Sequence, residues 1–443
     1  MREMKNNKHK KKLKKEVKVF LVILIAIAST FTMAYHFYLG PMLKEMNRVG
    51  FIQDKENPTE VIYKNKNHEI VYGPKKIKGK HYYFDEKTGH MKKGPIKQKD
   101  GIHYYGEDGA MVTGFVNQED GKHYYQPKTG IMLTGVQKID GEKYVFEDNG
   151  IMKTNSFCRG MDGNEKHVSY LDENGHQVKG RRNIDGVDRY FDENGNIAVD
   201  TEQLQQGVQQ VLNNWSGDIS FYFKDLQSNQ SFSINDHTFY PCCMIKVPSL
   251  ITIFNAIAEG RITRSEQVNH WIDLMIRISD NTSFNNLMAV LGGGNPAKGV
   301  AEVTQTAHDL GMNDTYARHG LEPGENTFST NGKNQSSPHD LGIAFEKIYR
   351  HEVATPELCD EMIEILKSCD DHDELEAGLP AGTPFANKTG CADALYHDGG
   401  IVYGPTNDYI IVCFSNGASY MKMMSAVSEY VYNYMDQLIP EGV

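Results

Sequence analysis

The sequence predicts an α+β fold for its C-terminal half, in which an antiparallel sheet is flanked by helices. Strand-like segments lie near both ends of that half and helix-like segments lie between them, an order typical of α+β domains. A repeat with a period of 20–23 residues precedes it and predicts a solenoid of β-hairpins. The predicted segments are a basic tail over 1–18, a transmembrane anchor over 19–39, a spacer over 40–78, repeats over 79–200 and the α+β domain over 201–443.

The N-terminus combines nine Lys or Arg residues and two Glu in residues 1–18 with an apolar run over 19–39. About 20 apolar residues span a bilayer as a helix, and a positively charged flank stays in the cytoplasm. We therefore expect a single-pass protein of the cell membrane, with a cytoplasmic N-terminus and extracellular C-terminal domains. A cleaved signal peptide is the alternative, since Thr32-Met33-Ala34 is a weak cleavage site. The net charge of -11 argues against a nucleic-acid partner.

The repeats each combine an aromatic, β-prone triplet with a turn and a second short strand, which predicts one hairpin per repeat. Clear copies begin with Gly-Lys-His-Tyr-Tyr-Phe at Gly79, Gly-Ile-His-Tyr-Tyr at Gly101, Gly-Lys-His-Tyr-Tyr at Gly121 and Gly-Glu-Lys-Tyr-Val-Phe at Gly141, and weaker copies begin near Gly163 and Gly186. These units resemble the cell-wall-binding repeats of choline-binding proteins. The resemblance implies peptidoglycan or another wall polymer as a partner.

The repeats depart from that family in their aromatic residues. Choline-binding repeats use tryptophan to hold a quaternary ammonium, because indole offers the best cation–π face. Both tryptophans of this chain lie outside the repeats, and histidines stand at matching places: His81, His103 and His123. We therefore expect a spacer or a weak wall-binding module whose tyrosines fill its own core, with choline binding as the alternative.

The α+β domain begins with apolar residues at helical spacing, which predict a helix over 202–215. Predicted strands follow over 219–223 and 231–234, then a helix from Cys243 to about 259 that ends at Gly260. Further helical segments are predicted over 271–278 and 285–291, late strands over 399–403 and 409–415, and a final helix over 421–438. The strands at both ends are expected to pair in one sheet.

Cys243 and Lys246 are the first candidate catalytic residues. They lie three residues apart, so one helical face presents both side chains. A helix N-terminus and a nearby cation both stabilise a thiolate, and a neutral lysine can take the proton of a thiol. Taken alone, each residue is as readily explained by structure, Cys243 as a small buried side chain and Lys246 as a solvated one.

Two short polar motifs follow, Ser279-Asp280-Asn281 and Lys388-Thr389-Gly390. With Lys246 they form, in this order, a pattern that resembles serine-dependent β-lactamases and penicillin-binding proteins, with cysteine at the place of the nucleophilic serine. The resemblance implies the β-lactamase fold for residues 201–443. It also implies roles for the individual residues: Ser279 relays a proton, Asn281 holds Lys246 and the substrate amide, Lys388 and Thr389 bind the substrate carboxylate, and the N–H groups of Cys243 and Cys391 form an oxyanion hole beside Gly390.

A fourth segment, Glu322-Pro-Gly-Glu-Asn326, resembles the loop that carries the deacylating glutamate of class A β-lactamases. The resemblance implies that Glu322 activates the hydrolytic water and that Asn326 assists in substrate binding. An exposed loop carboxylate is the alternative. The expected substrate is a β-lactam or an acyl-D-alanyl wall peptide, processed through an acyl-enzyme on Cys243. The other hypotheses are a non-catalytic sensor or wall-binding protein and a wall peptidase or transferase without lactamase activity.

The sequence contains seven cysteines, at positions 158, 242, 243, 359, 369, 391 and 413. Cysteine and histidine do not recur at metal-ligand spacing, so neither a metal nor another cofactor is expected. Cys391 follows the Lys-Thr-Gly motif and should lie across the cleft from the nucleophile. A Cys242–Cys391 disulfide is therefore one hypothesis, and two reduced thiols are the other.

Overall fold

The computed structural model describes residues 2–417, 419–440 and 442–443. The chain separates into two compact units. The first contains the residues up to 154 together with 173–176, and the second contains 155–172 and the residues from 177 onward. Each unit has hydrophobic cores formed by its own residues.

The first unit opens with a long helical segment. It comprises α1 (Arg2–Ala34), a π-helical turn (Tyr35–Leu39) and α2 (Gly40–Met46). Across the described residues, His9–Met46 is the one stretch of helix long and apolar enough to cross a membrane, judged by length and composition. Its apolar side chains, such as those of Phe20 and Phe31, are exposed. The segment includes the predicted anchor over 19–39.

Short antiparallel hairpins make up the rest of the first unit. Their strands are β1 (Gly50–Gln53), β2 (Val61–Lys64), β3 (Gly73–Ile77), β4 (Lys80–Phe84), β5 (Gly94–Lys97), β6 (Ile102–Tyr105), β7 (Met111–Val112), β8 (Gly114–Asn117), β9 (Lys122–Tyr125), β10 (Gly135–Ile139) and β11 (Glu142–Phe146). The turn Lys78-Gly79 joins β3 to β4 with φ values of 47° and 88°. Two left-handed residues suit the twist of paired strands, and the predicted hairpins are present.

The repeats reproduce the same side-chain contacts along the chain. The last aromatic residue of each triplet is buried, as Phe84, Tyr105, Tyr125 and Phe146. Gln98 and Gln118 each donate an amide hydrogen bond of 2.8 Å to the hydroxyl of the tyrosine seven residues later. The buried aromatic residues therefore form the core of the repeats.

Two further hairpins belong to the second unit. Their strands are β12 (Ser156–Arg159), β13 (Val168–Leu171), β14 (Gly180–Ile184), β15 (Val187–Phe191) and β16 (Ile197–Ala198). Val168 and Phe191 pack in the same core as Leu204 and Val427 of the helices beyond them. Asp200, which caps the next helix, also accepts a hydrogen bond of 2.9 Å from Arg181.

The α+β part of the second unit contains eight helices and five strands within its described residues. They are α3 (Thr201–Leu212), β17 (Asp218–Asp225), β18 (Ser231–Ile234), α4 (Lys246–Ala258), α5 (Glu266–Arg277), α6 (Asn281–Leu291), α7 (Pro296–Asp309), α8 (Pro338–Tyr349), α9 (Pro356–Lys367), β19 (Phe385–Ala392), β20 (Leu395–Val402), β21 (Tyr409–Asn416) and α10 (Tyr420–Asp436). Short 3₁₀ turns occupy Cys242–Ile245 and Glu376–Gly378.

The five strands form one antiparallel sheet in the order β18-β17-β21-β20-β19. Successive side chains of a strand face opposite sides of a sheet. On β21, Ile410 and Val412 enter the core that contains α4 to α9, whereas Ile411 and Cys413 enter the core that contains α3 and α10. The sheet thus lies between two helical layers, and the predicted α+β class is confirmed.

Candidate active site

Cys243 lies in the 3₁₀ turn Cys242–Ile245, directly before α4 begins at Lys246. The turn begins at Cys242, whose φ of 51° is left-handed, and the Met244 amide donates a hydrogen bond of 2.9 Å to the Pro241 carbonyl. This tight start places Cys243 half-buried at the helix N-terminus, as predicted, while Met244 and Ile245 anchor the turn in the core.

The Lys246 side chain is fully buried and contacts Cys243. Its Nζ atom lies 3.2 Å from Cys243 Sγ. The same atom lies 2.6 Å from the Ser279 backbone oxygen, 3.2 Å from Ser279 Oγ and 2.7 Å from Asn281 Oδ1. Cys243 Sγ also lies 3.5 Å from Asn281 Oδ1. The structure therefore brings Cys243, Lys246, Ser279 and Asn281 into one hydrogen-bonded cluster.

This cluster can hold Lys246 as a neutral amine. The Ser279 carbonyl and the Asn281 amide oxygen can only accept hydrogen bonds, whereas a thiol and a hydroxyl can also donate. A neutral amine has two N–H donors and one lone pair. Lys246 can therefore donate to both oxygens and still accept a proton from Cys243 or Ser279 without moving.

The pKa values of the pair favour a thiolate. Burial alone would raise the pKa of Cys243, but the charges of Lys246 and Lys388 outweigh burial and lower it below its ordinary value. Burial lowers the pKa of Lys246 to about 8. Burial raises the pKa of the adjacent Cys242. Of the two neighbouring thiols, Cys243 is therefore the one whose surroundings favour a thiolate.

The Ser279-Asp280-Asn281 motif combines a structural and a chemical arrangement. The Asp280 carboxylate caps α6 by accepting a hydrogen bond of 2.6 Å from the Ser283 amide. Ser279, with φ at 57°, turns the chain so that both its backbone oxygen and its hydroxyl face Lys246. The cap fixes the turn, and the turn positions the two groups beside the amine.

The Lys388-Thr389-Gly390 motif lies on the edge strand β19, opposite the nucleophile turn. A Cβ atom at Gly390 would lie 3.0 Å from the Cys243 amide nitrogen and 3.1 Å from that of Met244. Only glycine allows this approach, because any larger residue would press on those backbone amides. The approach brings β19 against the start of the turn Cys242–Ile245. Cys391 follows with an exposed side chain. The oxyanion hole from the N–H groups of Cys243 and Cys391 stays a prediction.

The loop that carries Glu322 and Asn326 is held in place by hydrogen bonds to the side chain of Asn285 on α6. The Asn285 side chain bonds the Leu321 amide at 2.9 Å and the Leu321 and Glu325 carbonyls at 3.1 Å each. Glu322 is exposed, and the Lys246 side chain bonds to Cys243, Ser279 and Asn281 instead. Asn326 bonds Asn286 at 2.6 Å. The structure thus places both residues on the loop, outside the Cys243 cluster.

His397, on β20, was not recognised from the sequence as a site residue. Its Nε2 atom lies 3.0 Å from the Tyr240 carbonyl, while Nδ1 accepts from the Ser415 amide at 3.3 Å. Nε2 must therefore carry the proton, and burial lowers the pKa of His397 to about 4, which keeps the ring neutral. His397 positions the segment before the nucleophile. Its sequence signal was weak, since a single histidine on a strand is usually structural.

Cys242, Cys243 and Cys391, the three cysteines nearest the site, are free thiols. The hypothetical Cys242–Cys391 disulfide is therefore not formed in this structure, where Cys242 is buried and Cys391 is exposed. Among the described residues, no group of three or more His, Cys, Asp or Glu side chains is arranged to hold a metal ion.

Comparison with known proteins places this geometry in a family context. The profile of the beta-lactamase enzyme family matches residues 203–270 and 267–435, which together make up more than half of the chain. The profile of the choline-binding repeat matches residues 71–115. The two matched regions correspond to the α+β domain and to the first repeat together with most of the second.

Beta-lactamases of Mycobacterium tuberculosis and Mycobacterium bovis are each 27% identical to this chain over 177 residues, 39% of this chain and 52% of theirs. The chain thus spans about half the length of the curated relatives it matches. The solved structure of PBP-A is 27% identical to this chain. That match covers 52% of this chain and 95% of the PBP-A chain, with a TM-score of 0.45. The solved structure of a beta-lactamase from Sphaerobacter thermophilus is 18% identical to this chain. That match covers 55% of this chain and 100% of the solved structure, with a TM-score of 0.46. On the evidence of the family profile, this chain belongs to the beta-lactamase enzyme family.

Proposed function

We propose that this protein is a hydrolase that opens β-lactams or acyl-D-alanyl wall peptides through an acyl-enzyme on Cys243. The observation that carries the proposal is the contact of Lys246 Nζ with Cys243 Sγ at 3.2 Å, within a cluster that also contains Ser279. A nucleophile with a lowered pKa beside a buried lysine is suited to covalent catalysis.

Acylation would begin with attack of the Cys243 thiolate on the substrate carbonyl. The new C–S bond first gives a tetrahedral oxyanion. Its collapse breaks the C–N bond and leaves a thioester, and the departing nitrogen takes the proton that Lys246 received from Cys243. Ser279 Oγ lies 3.2 Å from Lys246 Nζ and can relay that proton. Backbone N–H groups at the turn would stabilise the oxyanion.

Deacylation would need a water that attacks the thioester and restores the thiolate. We assign Glu322 as the base for this water, because its loop is fixed by Asn285 close to the N-terminus of α6. Glu322 is solvent-exposed rather than bound to Lys246, so hydrolysis would be the slower step. That exposure also favours the second candidate function, a wall peptidase or transferase in which an amine, not water, accepts the acyl group.

The remaining parts of the chain support a location at the cell surface. The apolar helix His9–Met46 would anchor the chain, and its basic flank would keep the N-terminus in the cytoplasm. The choline-binding-repeat match over 71–115 supports binding of a wall polymer. The hydrolase would then act on substrates of the wall or on antibiotics that reach it.

The test combines turnover with intact mass. The reduced protein is mixed with a chromogenic cephalosporin, and colour and mass are followed together, with Cys243→Ala as the matched control. Multiple turnovers support the hydrolase, and a lasting adduct on Cys243 supports the peptidase or transferase. Neither colour nor adduct, with both cephalosporin and an acyl-D-Ala-D-Ala peptide, would leave only a non-catalytic sensor.

A further inference from the structure

The aromatic ring of Tyr240, three residues before Cys243, stacks on the imidazole of His319, three residues before Glu322. The ring centroids lie 5.8 Å apart and the ring planes differ by 10°, a stacked arrangement of the kind that aromatic pairs favour. Both side chains are half-buried. The contact therefore joins the segment that ends at the nucleophile to the segment that leads into the loop of Glu322.

The backbone around Tyr240 is fixed by contacts on two sides. His397 donates a hydrogen bond of 3.0 Å from Nε2 to the Tyr240 carbonyl. The Phe239 amide donates a hydrogen bond of 2.9 Å to the Ser336 carbonyl, and the Ser336 amide donates one of 3.2 Å to the Phe239 carbonyl. The Tyr240 ring therefore extends from a backbone that is held in place, and it offers its partner a fixed surface.

His319 is held by the buried side chain of Asn334. The Asn334 amide oxygen accepts a hydrogen bond of 3.1 Å from the His319 amide, and its nitrogen donates one of 3.3 Å to the His319 carbonyl. The imidazole Nδ1 lies 2.7 Å from the Gly320 carbonyl and donates to it, since a carbonyl only accepts. The His319 ring is therefore fixed both to its own backbone and to the first residue of the loop that follows.

The surroundings of the Tyr240 hydroxyl show that its ring lies close to both reacting groups. Burial, with the nearby charges of Cys242, Cys243 and Glu322, raises the pKa of Tyr240 to about 12. An ionised Tyr240 would be repelled by each of these groups, and such repulsion requires proximity. The hydroxyl is therefore neutral at pH 7, and its side chain lies near the nucleophile and near the carboxylate assigned to deacylation.

The position of Glu322 depends on its loop. Glu322 is exposed, so packing of its own side chain does not set its distance from Cys243. Asn285 fixes the loop to α6 through the Leu321 amide. The stack of His319 on Tyr240 fixes the start of the same loop to the segment that carries the nucleophile. Loss of the stack would leave the loop attached to α6 but free to move relative to Tyr240.

We propose that His319 is a positioning residue for the hydrolytic step, and that by stacking on Tyr240 it holds Glu322 beside the water that attacks the Cys243 thioester. This inference rests on the proposed function, because it concerns deacylation at the same site. In that step the water oxygen bonds to the thioester carbon while Glu322 takes a water proton. The C–S bond then breaks, releasing the Cys243 thiolate and a carboxylic acid. His319 contacts none of these atoms and acts through the place of its loop.

The test measures acylation and deacylation separately, by following the intact mass of the full-length reduced protein after mixing with a cephalosporin. A displacement of about an ångström at reacting atoms costs around 100-fold in rate. Part of that displacement is expected in His319→Ala, so deacylation should slow by about tenfold and acylation should change by less than about twofold. Where deacylation limits turnover, kcat and KM should fall together and kcat/KM should stay constant.

Two further variants separate positioning from a general loss of structure. His319→Phe retains a flat ring that can stack on Tyr240, and it should restore deacylation to within about threefold of the wild-type rate. His237 stacks on Phe239 with centroids 4.3 Å apart, so His237→Ala removes the same kind of contact from the same segment. That variant should leave deacylation unchanged, because His237 does not lead into the loop of Glu322.

Hydroxylamine tests whether the defect lies in the activation of water. Its nitrogen attacks a thioester without a general base, forming a C–N bond as the C–S bond breaks. Hydroxylamine should therefore release the acyl group from the wild-type protein and from His319→Ala at equal rates. A slower release from His319→Ala would show a distorted acyl-enzyme and would overturn the positioning role.

Three other results would also overturn the proposal. They are wild-type deacylation in His319→Ala, equal losses in His319→Ala and His237→Ala, and a wild-type acyl-enzyme that water does not hydrolyse. In the first two cases the wild-type protein still turns over substrate, so the proposed function stands. Absence of any acyl-enzyme on wild-type Cys243 would instead overturn the proposed function, and the positioning role with it.

Discussion

The repeats and the α+β domain differ in how far apart in the sequence their contacting residues lie. In the repeats, Gln98 bonds Tyr105 and Asp100 bonds His103. In the α+β domain, Asp218 pairs with Asn416 across the sheet. In the repeats, each hairpin is stabilised by its own contacts and by those with neighbouring hairpins. In the α+β domain, contacts between residues far apart in the sequence form only when the whole domain folds. Damage should therefore stay local in the first region and spread through the second.

The largest expected effect comes from truncating a core side chain in each region. Phe254 of α4 and Phe84 of β4 are both fully buried. We expect Phe254→Ala to cost about 3–5 kcal/mol and to weaken amide protection throughout the α+β domain. Phe84→Ala should deprotect only hairpins near β4. Hydrogen exchange followed by mass spectrometry distinguishes the two patterns, and loss of protection across all repeats in Phe84→Ala would contradict the comparison.

A smaller effect, confined to the chemistry, is expected from a methyl group at Gly390. The added Cβ would press on the Cys243 and Met244 amides, which are backbone atoms that cannot rotate away. A displacement of about an ångström at reacting atoms costs around 100-fold in rate, so acylation by a cephalosporin should fall by that order in Gly390→Ala. In the repeats, the Cβ of Gly106→Ala would lie 3.1 Å from a side-chain methyl of Val112, far in sequence from Cys243, and this variant should leave acylation unchanged. Equal acylation rates in both variants would refute the close approach.

The smallest effect is a shift in pH dependence. The thiolate fraction rises as pH passes the thiol pKa, so a lowered pKa keeps Cys243 reactive below the usual value of about 8.5. Lys246→Gln removes the first of the charges that lower it, and burial then raises the pKa. The pH profile of iodoacetamide alkylation, measured by mass spectrometry of the Cys243 peptide, should move to higher pH. At pH 7 the alkylation rate should fall by about tenfold for each unit by which the thiol pKa rises. Lys388→Gln should move the pH profile less than Lys246→Gln does. A profile that does not move in Lys246→Gln would show that the Lys246 charge does not lower the pKa of Cys243.

The sequence predicted those parts of the molecule that repeat or that form short motifs. The hairpins were predicted because each repeat contains its own turn and aromatic triplet. Cys243, Ser279 and Lys388 were predicted as site residues because each lies within a short motif whose order resembles a known family. The helix predicted from Cys243 in fact begins as a 3₁₀ turn, which periodicity of apolar residues does not distinguish from an α-helix.

Other residues could not be assigned because their surroundings depend on the tertiary fold. Asp371 contacts Thr389 only because the segment after α9 folds against β19. His397 supports Tyr240 only because β20 lies beside the nucleophile turn. The exposure of Glu322 likewise depends on how its loop folds over Asn285. A motif-based prediction names candidate reacting groups but not the tertiary partners that surround them.

The two hairpins between Ser156 and Ala198 share a hydrophobic core with α3 and α10. The portion of the chain that can be inherited, exchanged or cut out as one piece therefore starts near Asn155, although the beta-lactamase match begins at residue 203. Deleting the chain before residue 200 would remove Val168, Phe191 and Val199 from that core and expose part of its apolar surface. The last two hairpins therefore form a structural layer of the α+β domain that follows them.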